Sequence, residues 1–187
     1  MRYRLRPLYT LGGYGSAVCL CLICAMITAQ ICGRLLDVLV IALGGDSLGL
    51  SIPGLAEVSG FLLVGASFLG LAYTFVHGGH IRVTLVTGQL PPRIRVFVEL
   101  WCLTVALALC AYLGWYTWVL LADSIAFGQV SYGMVPVPLW IPQGAMLLGI
   151  ALFCLALAEA WLATCVIAFT RPGAFRVDDD AAHSPEP

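Results

Sequence analysis

Four apolar runs, each as long as a bilayer is thick, leave this chain few folds to choose from. They cover about residues 11–36, 54–76, 96–122 and 139–169. A hydrocarbon core of about 30 Å takes about 20 helical residues, so every run can cross it, and the third and fourth can tilt. In lipid the backbone must satisfy its own hydrogen bonds, which admits only helices and closed barrels. No run alternates as a barrel strand does. The sequence therefore predicts an all-α integral membrane protein with four transmembrane helices in one domain, residues 1–170. Composition points the same way: 61% of residues are hydrophobic, 10% are charged and none is lysine, against about 25% charged in a soluble domain. Nine arginines against ten acids give no basic surface for nucleic acid, so the lipid bilayer is the first partner implied.

The first run follows a basic start, "MRYRLRPLYT", as the core of a signal peptide would. It outlasts such a core, about 7–15 residues, and meets no small-x-small cleavage motif. It is expected to stay as the first span. "LGGDSLGLSIP" (43–53) is a glycine-rich loop, and Pro53 suits a helix entry. "QLPPR" (89–93) is a turn before a proline-started helix. "FGQVSYGMVPVPLWIP" (127–142) holds three prolines and two glycines, too many for one regular helix. It is expected to be a partly ordered loop entering the fourth span at Trp140, a membrane-interface anchor. Residues 171–187 are a polar tail, expected to be disordered.

Arginines set the expected orientation. Arg2, Arg4 and Arg6 flank the first span, Arg82, Arg93 and Arg95 lie between the second and third, and Arg171 and Arg176 follow the fourth. The first loop has only Arg34 at its edge and the third loop has none. Both termini and residues 77–95 should face the cytoplasm, an N-in/C-in arrangement. Trp115, Trp118 and Trp140 should lie toward the far side, with Trp101 and Trp161 toward the cytoplasm.

The stretch "HGGHIRVTLV" (77–86) is the most polar interruption of the apolar pattern. His77 and His80 would need further ligands to hold a metal or haem, and the one other histidine is His183 in the tail. The better reading is a cytoplasmic elbow at Gly79, His80 and Arg82. Beyond it Ile81, Leu85 and Leu90 are spaced for a short interfacial segment between helices 2 and 3. Cys21 and Cys24 form a C-x-x-C inside an apolar run, where cysteine acts as a small hydrophobe. No catalytic motif, cofactor or metal site is expected, and the chain reads as no enzyme.

Charges at membrane depth need a reason. Arg34 and Asp37 can pair on one helix face. Asp123 closes the third span and Glu159 lies within the fourth. Glu57 opens the second span with no cation beside it; either it complements the helix dipole or it meets a partner protein. Behind it Gly60, Gly65, Ala66 and Gly70 form a small-residue face suited to close helix packing. Together with Glu57 they are the partner-interface candidates.

These residues resemble a family. "AEVSGFLLVGASFLGLAYTFVHGGHIRVTLVTGQLPPRIR" is similar to the most recognisable region of the small membrane subunit (DctQ-type) of tripartite ATP-independent periplasmic (TRAP) transporters. Glu57, the Gly/Ala-rich helix, the run from Gly79 to Val83 and Leu90-Pro91 carry the likeness, and Trp140 to Gly149 extends it. Thr84 and His77 depart from the usual pattern, which has an aspartate and a basic residue there. The resemblance implies a scaffold that pairs with a large TRAP membrane subunit carrying the substrate and sodium sites. It also implies a periplasmic substrate-binding protein that delivers an organic acid. The alternative is a four-span redox protein using cysteines or b-type haem, which would need paired histidines at membrane depth.

Overall fold

The computed structural model describes residues 5–46, 49–50, 53–77 and 92–170. Four α-helices account for nearly all of them: α1 (Arg6–Ala42), α2 (Leu55–Val76), α3 (Pro92–Ala126) and α4 (Trp140–Thr170). Each is long and apolar enough to cross a membrane. No strand occurs among the described residues; an isolated antiparallel bridge joins Val130 to Pro138. The expected elbow at Gly79, His80 and Arg82, the interfacial segment and the tail lie outside the described residues.

α1 and α3 overrun their apolar runs at both ends, whereas α2 and α4 match theirs to within about one residue. α1 starts before its apolar run because Pro7, in the first turn, needs no hydrogen-bonded N–H there. At 37 residues α1 is about 55 Å long, whereas α2 at 22 residues is about 33 Å. α2 begins at Gly54, whose φ of +71° is left-handed and suits glycine. Glu57 lies in its first turn.

The helices pack in the order α1, α2, α4, α3, each mainly against the next. α4 is the centre. Its Ile150 and Leu157 join Leu103 and Cys110 of α3 in one buried cluster; its Leu152 and Ala156 join Tyr9 of α1 and Ala72 of α2 in another. Gly149 is the closest approach: a Cβ there would strike the backbone of Phe68 on α2. Without a hydrophobic force between helices in lipid, such close approaches are what hold a membrane bundle together.

α3 is attached along one line. Val96, Leu103, Cys110, Thr117 and Ser124 are its buried residues, each seven positions after the last. A strict seven-residue repeat is the signature of a left-handed supercoiled seam. Trp101, Leu109, Tyr112, Trp115 and Trp118 on the other faces are exposed. Trp161 of α4 donates its indole N–H to Thr104 Oγ1 at 2.8 Å across the seam.

Contacts also fix the axial offsets. Cys19 Sγ lies 3.5 Å from where a Cβ on Gly65 would be. Ten residues along from each, Leu55 at the start of α2 is level with Ala29 of α1. The last turns of α1, Leu35 to Ala42, therefore run on past α2. At the other end Tyr9 of α1 meets Glu159 of α4, so the ten or so residues after Glu159 run on past α2 in the opposite direction. Glu159, which the sequence put inside the fourth span, is thus level with the end of α2.

Candidate functional site

The described residues divide the bundle into a hairpin end, where residues 43–46, 49–50, 53–54 and 127–139 lie, and a terminal end, where α1 begins and α4 closes. At the hairpin end, residues 127–139 form a small ordered structure. Ser131 N–H donates to Val137 O (2.9 Å) and Leu139 N–H to Gln129 O (3.1 Å). The Ser131 hydroxyl donates to Val135 O and accepts from Val137 N–H, both at 3.2 Å. Ser124 Oγ, fully buried, ties α3 to Gln129 Oε1 at 3.0 Å. Gly128, at φ +57°, supplies the left-handed residue that lets the chain leave α3. The loop expected to be partly ordered is therefore pinned at its base.

This hairpin sits on the start of α2. The Glu57 carboxylate lies against Gly133, where a Cβ would collide with it. Val135 Cγ2 lies 3.0 Å from a Cβ position on Gly54. Glu57 is half-buried and thus serves within the chain as a support for the hairpin, in addition to its place in the first turn of α2. Three other side chains of the hairpin are exposed: Phe127, Tyr132 and Met134 at 76%, 105% and 84%. Asp37, expected beside Arg34, has its Oδ2 accepting the Leu50 N–H at 3.1 Å and holds the other loop to α1.

The small-residue face of α2 is used mostly inside the bundle. Ser16 of α1 donates to Ala66 O at 2.7 Å, and its Oγ lies 3.1 Å from a Cβ position on Gly70. Gly65 is enclosed between Cys19 of α1 and Ala145 of α4. Gly60 is the exception, with nothing within 4 Å of its Cβ position. Trp140 opens α4 half-exposed, on the same side as Trp115 and Trp118 along α3, while Trp101 and Trp161 lie toward the terminal end. His77 caps α2 with Nδ1 2.9 Å from Tyr73 O and its ring 4.1 Å from the Tyr73 ring.

The sequence did not single out Tyr9, Ser16, Gly149 or the hairpin tip. Tyr9 is fully buried and its hydroxyl donates to Glu159 Oε2 at 3.0 Å, which satisfies an acid that would otherwise be costly beside lipid. Ser16, in "GGYGS", and Gly149 were legible as small residues in apolar runs, but their partners were not. Cys110 and Cys154 face each other across the α3–α4 seam, sulfur to sulfur at 3.0 Å. Cys21, Cys24, Cys32 and Cys102 are exposed on the flanks. Among the described residues no three His, Cys, Asp or Glu side chains converge as a metal site would require.

Four helices long and apolar enough to cross a membrane, with broad apolar flanks, define a multi-pass membrane protein. A family model described as "Tripartite ATP-independent periplasmic transporters, DctQ component" matches residues 23–165. The chain belongs to that family, as a small membrane subunit of a TRAP transporter. The family is a component of transporters rather than a family of enzymes. No curated protein and no solved structure matches the chain.

Proposed function

We propose that this chain is the scaffold subunit of a sodium-coupled TRAP importer in a bacterial inner membrane. In this reading it braces the large membrane subunit while that subunit's transport domain moves, and a periplasmic binding protein delivers an organic acid. The carrying observation is the one-sided attachment of α1 and α3: each meets the bundle along a narrow line and leaves broad apolar flanks. A path for a charged solute needs polar groups that replace its hydration. The ionisable groups described here sit at helix ends and loops, and Glu159 is engaged by Tyr9. Gly60, the open member of the small-residue face, is the point on α2 best placed for a helix of the large subunit.

The chain reconstituted alone in liposomes should move no organic acid, even with a sodium gradient and the binding protein supplied. Adding the large subunit should start uptake, and the two should elute as one complex. Sodium-driven uptake by this chain alone sinks the proposal. The arginine distribution supports the hairpin end facing the periplasm. A reporter fused after Arg176 should then read cytoplasmic and one inserted at Gly128 periplasmic; the reverse pattern inverts the topology.

A further inference from the structure

We propose that Cys110 and Cys154 are an oxidisable dithiol at the centre of the bundle, which a lipid hydroperoxide closes into a disulfide that staples α3 to α4. Neither the transport role nor the orientation of the bundle enters it. Three observations carry it.

The first is geometry. The two sulfurs are 3.0 Å apart across the seam, about 1 Å more than the roughly 2.0 Å of a disulfide bond. The side chains already point at each other, and a small approach closes the bond. Cys154 Sγ donates to Cys110 Sγ, and Cys110 Sγ lies 3.8 Å from the Ile150 carbonyl oxygen.

The second is placement. Cys110 is the middle one of the five buried seam positions of α3, and each cysteine lies near the middle of its span. Leu103, Ile150, Leu157 and Phe153 pack around the pair. Water-soluble thiols such as glutathione act as charged thiolates, and charge is costly in such an apolar layer. A disulfide formed there is out of reach of the reductants that keep intracellular cysteines reduced.

The third is asymmetry. Cys110 is buried and Cys154 is half-buried. Beside Cys154, Leu155 is exposed on the flank. Cys154 is therefore the sulfur that an oxidant dissolved in lipid meets first, and Cys110 stands behind it as the resolving thiol.

The chemistry closes without water-soluble reagents. The Cys154 sulfur attacks the terminal oxygen of the hydroperoxide, and the O–O bond breaks. The thiol proton goes to the departing oxygen, which leaves as an alcohol, and Cys154 becomes a sulfenic acid. The Cys110 sulfur then displaces the sulfenic hydroxyl. The S–O bond breaks, the S–S bond forms, and the Cys110 proton leaves with the hydroxyl as water. One hydroperoxide takes the two electrons of one disulfide. Thiolate is scarce in an apolar seam, so the first step is slow.

The test uses the full chain in nanodiscs, with a phospholipid hydroperoxide as the probe. One sample is wild type. A second has Cys19, Cys21, Cys24, Cys32, Cys102 and Cys165 each replaced by alanine, and a third adds Cys154→Ser to those changes. Mass spectrometry should find a peptide linked through Cys110 and Cys154 in the first two samples. The six-alanine chain should weigh two hydrogens less than before oxidation. Its thermal unfolding should rise by about 5 °C or more. Glutathione should reverse the link only after the chain is unfolded. The third sample should show neither link nor rise.

Free thiols at Cys110 and Cys154, with the exposed Cys102 of the wild type oxidised, overturn the proposal. So does a disulfide that joins either of them to a different cysteine or to another chain. A link that glutathione reduces in the intact nanodisc removes the shielded placement and overturns it too. If the hydroperoxide leaves every cysteine untouched, it is not the oxidant and the proposal fails. The wild-type sample keeps the test open where the six alanines prevent folding.

Discussion

α1 and α4 have the same mean hydropathy in their most apolar stretches, 2.1, and opposite places in the structure. A third of that stretch of α4 is buried and none of α1's is. Hydrophobicity therefore does not choose the core of this bundle. Lipid is as apolar as leucine, so what selects a central helix is how closely other backbones can approach it. α4 offers Gly149, Ala156 and Ala160 on its buried side. Past the Gly12 to Ser16 stretch that meets α2, α1 turns a narrow line inward and exposes Leu20, Leu22, Ile27, Ile31 and Leu35.

The difference can be broken most forcefully at glycine. Gly149→Leu drives a side chain into the Phe68 backbone and should cost about 3 kcal/mol or more. Gly60→Leu, with open space around it, should stay within about 0.5 kcal/mol. Thermal unfolding in detergent measures both, and equal losses would mean α4 is not the tighter helix. Next in size are truncations of leucine. Leu157→Ala on α4 should cost about 2–4 kcal/mol, and Leu22→Ala on α1 no more than about 0.5 kcal/mol. If denaturant titration gives similar values, α1 is packed more fully than its exposure shows.

The smallest effect sharpens the comparison. Tyr9 and Glu159 form a direct tie between α1 and α4. A double-mutant cycle with Tyr9→Phe and Glu159→Ala should give a coupling of about 0.5–1.5 kcal/mol. No coupling would leave α1 held at that end by α2 and by its packing against Leu152 and Ala156 of α4.

The helices were legible from sequence because lipid imposes one strong rule, a long apolar stretch with its backbone bonded internally. Their neighbours were not. Helices that are apolar on every side carry no stripe to say which face turns inward. The small-residue face from Gly60 to Gly70 announced close packing, but only the fold shows Ser16 and Cys19 of α1 on one part of it and Ala145 on another. Glu57 was visible as an acid without a cation. That its support would be to Gly133, far along the chain, depends on where the hairpin lands, which no local pattern encodes. Glu159 was legible as an acid inside the fourth span, and it lies there; that Tyr9 of α1 would meet it was not legible.

The seven-residue line on α3 bears on how this helix can diverge among related chains. Five buried positions, with Thr104, Ala106, Leu107 and Gly114 beside them, carry its attachment to α4, and the rest answer to whatever medium surrounds the helix. Selection then acts on α3 as a comb. Drift should be slowest at Val96, Leu103, Cys110, Thr117 and Ser124 and fastest at exposed positions such as Leu109, Tyr112 and Trp118. The helix can be re-surfaced for a different lipid or a different neighbour while its grip on α4 stays unchanged.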